Sequence, residues 1–347
     1  MAAPLALLTA TIVALSGVGL LAQRGESADP FEFFQPQVSL SAAERSRLDS
    51  GQPIVKTLSA ESGEVAVFSA ARIAIDGDRL VAWVRRIQEL KRGKFVPLIG
   101  RFSDPPRVDD VAALELDDGE LDDLRSCRPG ACGLKLSQPE MVTLSALAAR
   151  RTPDWKAAVQ QGFREALVAR AKQYRSSGLV AVPPYLDGPT PVALDREFAA
   201  LASHSSFIER GLPRLVEYLL RYPAERARDI ESFLYWSKEL LGGRPIVSIT
   251  HVTTTRPVDG VLPAAVVAAK QVYATHYMTG SLAVTTIVGG RGGAPHYLAY
   301  LNRSRVDVLD GFFGGLVRRI MERRLREDAA LVVDALRQRL QSGEPPS

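Results

Sequence analysis

Polar and hydrophobic positions change period twice along this chain. Near the front, 54–58 and 64–75 alternate and carry β-branched residues, which predicts two strands. Before them, Ser41 and Glu44 form a capping box for a short helix that Gly51 stops. After them, Asp78 caps a stretch with Leu80, Trp83, Val84, Ile87 and Leu90 at spacings of three and four. That stretch is a helix with one apolar face.

The middle follows the helical period. Helices are predicted over 139–150, from Asp154 onward with Trp155, Val159, Phe163, Ala166 and Leu167 in register, and over 195–210. Pro213 suits a first turn, so 213–221 is a separate helix that ends before Pro223. Residues 226–241 carry Ile230, Phe233, Leu234, Leu240 and Leu241 and also fit a helix, ending at Gly242-Gly243. Four prolines make 179–191 an irregular loop.

The last third returns to the period of two. Strands are expected over 244–256, 264–278, 282–288 and 296–305. The alanines of 264–278 suit a helix, but Val266, Val267, Val272, Tyr273, Thr275 and Tyr277 favour a strand, and a strand is the reading adopted. Gly289 to Gly293 is a hairpin loop with no helix behind it to make a phosphate cradle. A long helix over 307–341 closes the chain, with an apolar stripe running from Leu309 to Leu340.

Composition adds compartment. Residues 1–22 contain no charged side chain. They read as a signal peptide or as an uncleaved anchor, since roughly 20 apolar residues span a bilayer. Either reading gives an exported protein, periplasmic or tethered to the membrane by its N-terminus. The two cysteines, Cys127 and Cys132, flank a Pro-Gly turn. In an exported chain that arrangement suggests a local disulfide, with a reduced buried pair as the alternative. The net charge of +4 is small and dispersed, so nucleic acid is not an expected partner. Hydrophobic residues make up 46% of the chain, which is enough for a well-filled core.

The expected fold is therefore α+β: a curved antiparallel sheet packed on a long C-terminal helix, with a helical middle region. The organisation read from the pattern is a leader (1–22), a linker (23–40) with 31–38 loose, N-terminal core strands and helix (41–138), a helical insertion (139–243), C-terminal strands and long helix (244–341), and a tail (342–347). This order of elements, carried by 64–91 and 244–341, resembles the helix-grip superfamily of START and SRPBCC proteins. The helical 139–241 departs from the simple form of that family and stands as a large insertion. The resemblance implies that an apolar ligand is held between sheet and helix. It transfers no catalytic residue.

Motifs for specific chemistry are missing. The sequence has no GxSxG, no P-loop, no GxGxxG after a strand and no HExxH. The acidic run from Asp109 to Asp123 does not fit an EF-hand and reads as a solvated face with helix-capping acids. No cofactor and no metal are expected. The candidate ligand-binding residues are polar side chains among the late strands: His251, Lys270, Tyr273, His276, Tyr277, Asn302 and Arg303. Cationic and imidazole groups among apolar ones suit the head group of a mostly apolar molecule. His251 or His276 with a carboxylate, Asp307 being nearest in sequence, would suit an acid or base instead. His251, Lys270, His276 and Arg303 are expected to share one concavity walled by the terminal helix. Arg318, Arg319, Arg323, Arg324 and Arg326 form a basic face that suits lipid head groups or, paired with Glu322 and Glu327, plain solvent. The leading expectation is an exported binding or carrier protein for an apolar small molecule such as a lipid. The alternatives are an enzyme using His251 or His276 in the same cavity, and a structural partner in an envelope assembly.

Overall fold

The computed structural model describes residues 29–150, 152–224, 229–240, 243–257, 263–289, 294–309 and 314–343. The charge-free leader over 1–22 lies outside the described residues, as do the Gly290–Gly293 part of the hairpin loop and residues 310–313.

Among the described residues, eight strands form one antiparallel sheet: β1 (Ile54–Leu58), β2 (Glu64–Ile73), β3 (Leu98–Arg101), β4 (Ile230–Glu239), β5 (Ile246–Thr255), β6 (Val266–Ala274), β7 (Met278–Gly289) and β8 (His296–Val306). Their order across the sheet is β1-β2-β8-β7-β6-β5-β4-β3. Neighbouring strands from β4 to β8 follow one another in sequence, so short connections set those pairings. The β2–β8 ladder is different. It matches Glu64 to Arg305 through Ile73 to His296, and it closes the front of the chain on the back.

Ten α-helices among the described residues cover both faces: α1 (Ala42–Asp49), α2 (Gly77–Arg85), α3 (Ile87–Lys91), α4 (Asp118–Ser126), α5 (Gln138–Ala148), α6 (Trp155–Ser177), α7 (Leu194–Ser203), α8 (Ser206–Gly211), α9 (Pro213–Arg221) and α10 (Gly314–Gln341). The expected capping box is present at α1, where the Ser41 backbone N–H donates to Glu44 at 2.8 Å. At α2 the cap lies two residues earlier than expected: the Asp76 side chain accepts from the Arg79 N–H at 2.9 Å.

Two large hydrophobic cores lie on opposite faces of the sheet. The larger packs α1 and α4–α9 against Phe68, Leu234, Trp236, Val247, Ile249, Val266, Leu282 and Leu301. The smaller packs α2, α3 and the end of α10 (Leu336 and Leu340) against Ile73, Phe233, Val252, Val267, Ile287 and Leu298. Strand β5 is buried along all ten residues because helices stand on both sides of it. Its run of β-branched residues suits that environment.

Three expectations are corrected. Residues 226–241 are not a helix; they contain β4. Phe233, Leu234, Tyr235 and Trp236 are all buried, and four consecutive bulky side chains find burial on both faces of a strand but not on one face of a helix. Strand β3, which had no sequence signal, forms at the edge beside β4. Gly100 makes that approach feasible: a Cβ there would stand 2.4 Å from the Trp236 indole nitrogen, which donates instead to the Asp110 carbonyl at 2.7 Å. Residues 31–38 are not a loose linker either. Phe31 and Phe34 pack on Phe68 at 6.0 and 5.3 Å between ring centroids, and Phe34 also meets Phe207. Buried aromatic area holds this segment where its polar and proline content suggested a tether.

Candidate functional site

Alternation along the late strands puts His251, Lys270 and Arg303 on one face, and His276 follows on the same side past the end of β6. This is the face covered by α4–α9. The terminal helix lies on the other face, where α10 runs beside β1 and β2 and Arg326 donates to Thr57 on β1. The expected concavity with α10 as its wall therefore does not hold these four residues together. Each meets a different partner, and His251 Nε2 and Arg303 Nε have none among the described residues.

His251 sits under α6 and α9. Its Nδ1 shares a hydrogen bond of 2.8 Å with the Tyr174 hydroxyl, and Tyr222 and Tyr218 pack around the ring. Its Nε2 has no partner among the described residues. Burial, then the charges of Lys270 and Arg175, push its pKa well below the ordinary histidine value, so the ring is neutral. Lys270 is directly opposite on β6 and is 1% exposed. Its ammonium donates to the Leu219 carbonyl at 2.5 Å and faces the rings of Phe198 and Tyr174 at 4.2 and 5.3 Å. With no carboxylate among these contacts, burial lowers its pKa to about 7. The adjoining void, lined by Phe198, Ala202, Ile208, Leu219 and Leu282, has no room for a water-sized molecule.

The other candidates also lie against protein groups. Tyr273 lies 4.8 Å over the Arg170 guanidinium, which is itself held by Glu140 at 2.7 and 2.5 Å. His276 bonds Glu120 of α4 at 3.1 Å, and both are buried. Asp307, the acid nearest in sequence, pairs with Lys135 at 2.6 Å instead. Arg303 and Arg305 converge on Glu64, which is wholly buried and is also bonded by His204 at 2.9 Å. His251 and His276 are six residues from each other in β6 register, on the order of 20 Å along the sheet, so they do not form one acid–base centre. Tyr277 stands apart at the β6–β7 turn with a φ of 61°. Asn302 points to the opposite face.

That opposite face carries a second polar set that sequence reasoning missed, apart from Asn302. Tyr235 on β4 stands opposite Thr250 on β5, and Thr250 opposite Gln271 on β6. Ser281 on β7 stands opposite Ser304 on β8, and Ser69 on β2 opposite Tyr300 on β8. Ser237 and Ser248 extend the row at β4 and β5, bonded to each other at 3.1 Å. Asn302, Ser281 and Ser304 form a trio at 2.8–2.9 Å, and Asn302 also bonds Tyr300. Lys91 of α3 reaches the row, bonded to Tyr235 at 2.9 Å and to Glu239 at 3.2 Å. Burial opposes the Lys91 charge, but Glu239 and Tyr235 outweigh it and its pKa is raised.

Tyr300 shows the shape of this face. Burial raises its pKa to about 12, and Lys91, Glu239 and Tyr235 all act on it electrostatically. Four strand spacings separate β8 from β4, about 19 Å on a flat sheet. A curved sheet that curls toward this side accounts for their mutual influence, with the polar row on its concave face. Apolar residues bound it: Val252, Val267, Ile287 and Leu298 at one end, Val65, Val306 and Leu309 at the other. Two buried atoms in it have no partner among the described residues, Ser69 Oγ and Gln271 Nε2. Ser69 is 0% and Gln271 8% exposed.

Cys127 and Cys132 are joined in a disulfide across the Arg128–Ala131 turn, with Cα atoms 4.4 Å apart. Among the described residues no group of three or more His, Cys, Asp or Glu side chains is placed to hold a metal ion, and no helix is long and apolar enough to cross a membrane.

Fold and site together define an α+β protein whose curved antiparallel sheet has helices on both faces. No family model matches the chain, and no curated protein matches it. Among solved structures, the crystal structure of TTHA0849 from Thermus thermophilus is similar at 10% identity over 42% of this chain and 88% of that one, with a TM-score of 0.24. A likeness at that score carries no argument.

Proposed function

We propose that this is an exported binding or carrier protein that holds a small amphiphilic molecule, with lipids as the natural class, against the concave face of its sheet. The observation that carries the reading is the belt of mostly neutral hydrogen-bonding side chains between two apolar ends, in which Ser69 Oγ and Gln271 Nε2 lack partners among the described residues, as His251 Nε2, Thr253 Oγ1, Tyr273 Oη and Arg303 Nε do on the other face. A buried donor without an acceptor costs about 1–3 kcal/mol, and a ligand that supplies the acceptor removes that cost. The resemblance to the helix-grip superfamily supports the same place, between sheet and terminal helix: α10, 28 residues long, runs beside β1 and β2. Export rests on the charge-free residues 1–22.

The residues first singled out contribute differently in this reading. His251, Lys270, Tyr273, His276 and Arg303 anchor the helical layer to the convex face, and Asn302 belongs to the ligand side. The enzyme alternative through His251 or His276 would need a site other than the belt, because neither histidine faces it. The test is native mass spectrometry of full-length protein purified without detergent exchange from its host's envelope. A co-purified small molecule, released when the protein is denatured, supports the reading. A ligand-free protein that also takes up no added lipid overturns it. Cell fractionation tests export independently, and recovery of the intact N-terminus in the cytosol would remove that part.

A further inference from the structure

A group of cations without counterions surrounds the turn between α3 and β3, whose sequence is Arg92-Gly93-Lys94-Phe95-Val96-Pro97. Gly93 and Val96 exchange both backbone hydrogen bonds, at 3.1 and 3.0 Å, so the reversal is a two-residue turn with Lys94 and Phe95 at its tip. The turn is fixed to the end of β4, where the Leu240 N–H donates to the Phe95 carbonyl at 2.8 Å. An ammonium and an aromatic ring therefore stand side by side, with Lys94 Nζ 5.8 Å from the centre of the Phe95 ring.

Three guanidinium groups lie around this tip. Arg92 donates to the Ile99 carbonyl of β3 at 3.4 Å. Arg101 lies over the Phe233 ring at 4.1 Å. Arg339 of α10 donates to the carbonyls of Glu89, Leu90 and Arg92. Carbonyls and rings hold these groups in place and leave their charge uncompensated. None of Arg92, Lys94, Arg101 and Arg339 has a carboxylate at salt-bridge distance among the described residues, and the nearby acids are already taken: Glu89 by Arg86, Glu239 by Lys91, and Glu231 by Arg85 and Arg256.

Apolar surface is exposed at the same place. Phe95 is half-buried against the smaller core, Pro97 is exposed, and Leu240 is 46% exposed. Cations beside exposed apolar groups match the layered chemistry of a bilayer surface, where phosphate groups lie just above the acyl boundary. A nucleic-acid duplex would use the cations but would offer nothing to Leu240 and Pro97.

We propose that this turn, with Arg101 and Arg339 beside it, is a docking surface for an anionic lipid bilayer. The cations meet the headgroup phosphates, and Phe95, Pro97 and Leu240 enter the boundary beneath them. The surface is separate from the concave face and does not depend on what that face holds.

The test is cosedimentation of full-length protein with vesicles of phosphatidylcholine alone or with about 30% phosphatidylglycerol. Residues 1–22 carry no charge and respond equally to both, so the readout is the ratio of the two affinities. Phosphatidylglycerol should tighten binding at least about a hundredfold at low salt, and most of that gain should vanish at about 0.5 M salt. The double variant Arg92→Gln, Lys94→Gln should lower the ratio about 25-fold, roughly fivefold per cation, with the melting temperature unchanged. Leu240→Ser should weaken binding to the anionic vesicles about fivefold. Arg47→Gln, an exposed cation of α1 on the other side of the sheet, should leave the ratio as it is. A ratio near one would overturn the proposal. So would a double variant that keeps the wild-type ratio, or an Arg47→Gln variant that loses as much. Tighter binding to a DNA duplex, lost in the same double variant, would also overturn it by assigning the cations to nucleic acid. The concave-face reading stands or falls separately, on native mass spectrometry.

Discussion

The two faces of the sheet bury polar groups by opposite means. On the convex face the polar side chains are mostly ionisable and several are held in charge pairs: Glu64 with Arg303, Arg305 and His204, Glu120 with His276, Arg170 with Glu140, while His251 Nε2, Thr253 Oγ1, Tyr273 Oη and Arg303 Nε lack partners among the described residues. Each charge pair joins a helix or its flanking turn to a strand or to another helix. On the concave face the groups are mostly neutral, run side by side from β2 to β4 across the sheet, and leave two atoms unpaired among the described residues. A buried ion pair is unforgiving, because removing one partner strands a charge. A row of hydroxyls and amides tolerates exchange of partners, because each group both competes for and gives up hydrogen bonds at modest cost. The first arrangement fastens layers together; the second suits a surface that is sometimes occupied.

That contrast is sharpest at Glu64. Glu64→Gln leaves Arg303 without its carboxylate, while Arg305 keeps Glu197 at 2.6 Å, and a loss of about 3–5 kcal/mol is expected in urea denaturation. A loss below about 1 kcal/mol would show that the convex-face pairs are not fastenings. Lys270 is the exception on that face, a buried ammonium without a carboxylate partner, and Lys270→Met should stabilise the protein at neutral pH by roughly 2–4 kcal/mol. The sign follows from its folded pKa of about 7 against an unfolded value near 10.4. The unfolded chain binds the proton more tightly, so stability is whole above about pH 10 and falls as the pH drops to about 7. Melting curves across that window should slope upward with pH for the wild type and flatten in the variant. Parallel curves for the two proteins would sink the assignment.

Smaller effects separate the faces further. His276→Leu should cost about 1–3 kcal/mol, since Glu120 stays buried and keeps only its bond to the Asp117 N–H. Ligand content should not change. A variant of unaltered stability that releases ligand would return His276 to the binding site. On the concave face, Gln271→Leu and Ser69→Ala should change stability by no more than about 0.5–1 kcal/mol, and in the favourable direction, because each removes an unpaired polar atom. A marked loss of stability from either would mean that the row is structural like its counterpart.

Much of the sheet was legible in the sequence. The alternation of 54–58, 64–75 and the last third marks six of the eight strands and places His251, Lys270 and Arg303 on one side, but a register shift in β6 puts Tyr273 on the Lys270 side where a regular strand would have put it opposite. The physical basis is local: β-branched residues at a period of two commit to strand wherever they end up. The two remaining strands show the limit. In β4 the spacing of Ile230, Phe233 and Leu234 mimics a helix, and only pairing with β5 on one side and β3 on the other decides for the strand. β3 is four residues long, too short for any period to show.

The expectation of one shared concavity walled by the terminal helix failed for a related reason. A histidine or lysine inside an apolar strand stands out in a sequence, while Ser, Thr and Gln at alternate positions look like an ordinary solvent-facing edge of a sheet. His251 and Lys270 stood out because they are buried and fastened. Ser69, Ser237, Ser248, Thr250 and Gln271 did not, because nothing local indicates that their face turns inward.

The sequence by itself determined which residues are strand, which share a face, where most helices begin, and that 1–22 carries no charge, since all of these depend on neighbours a few positions away. Tertiary structure alone decided which face the middle helices cover, toward which side the sheet curls, and hence which polar residues are locked in ion pairs and which form neutral hydrogen-bonded rows. Those outcomes depend on contacts such as Glu64 with Arg303 and Gly100 with Trp236, between residues more than a hundred positions apart, and no local pattern carries them.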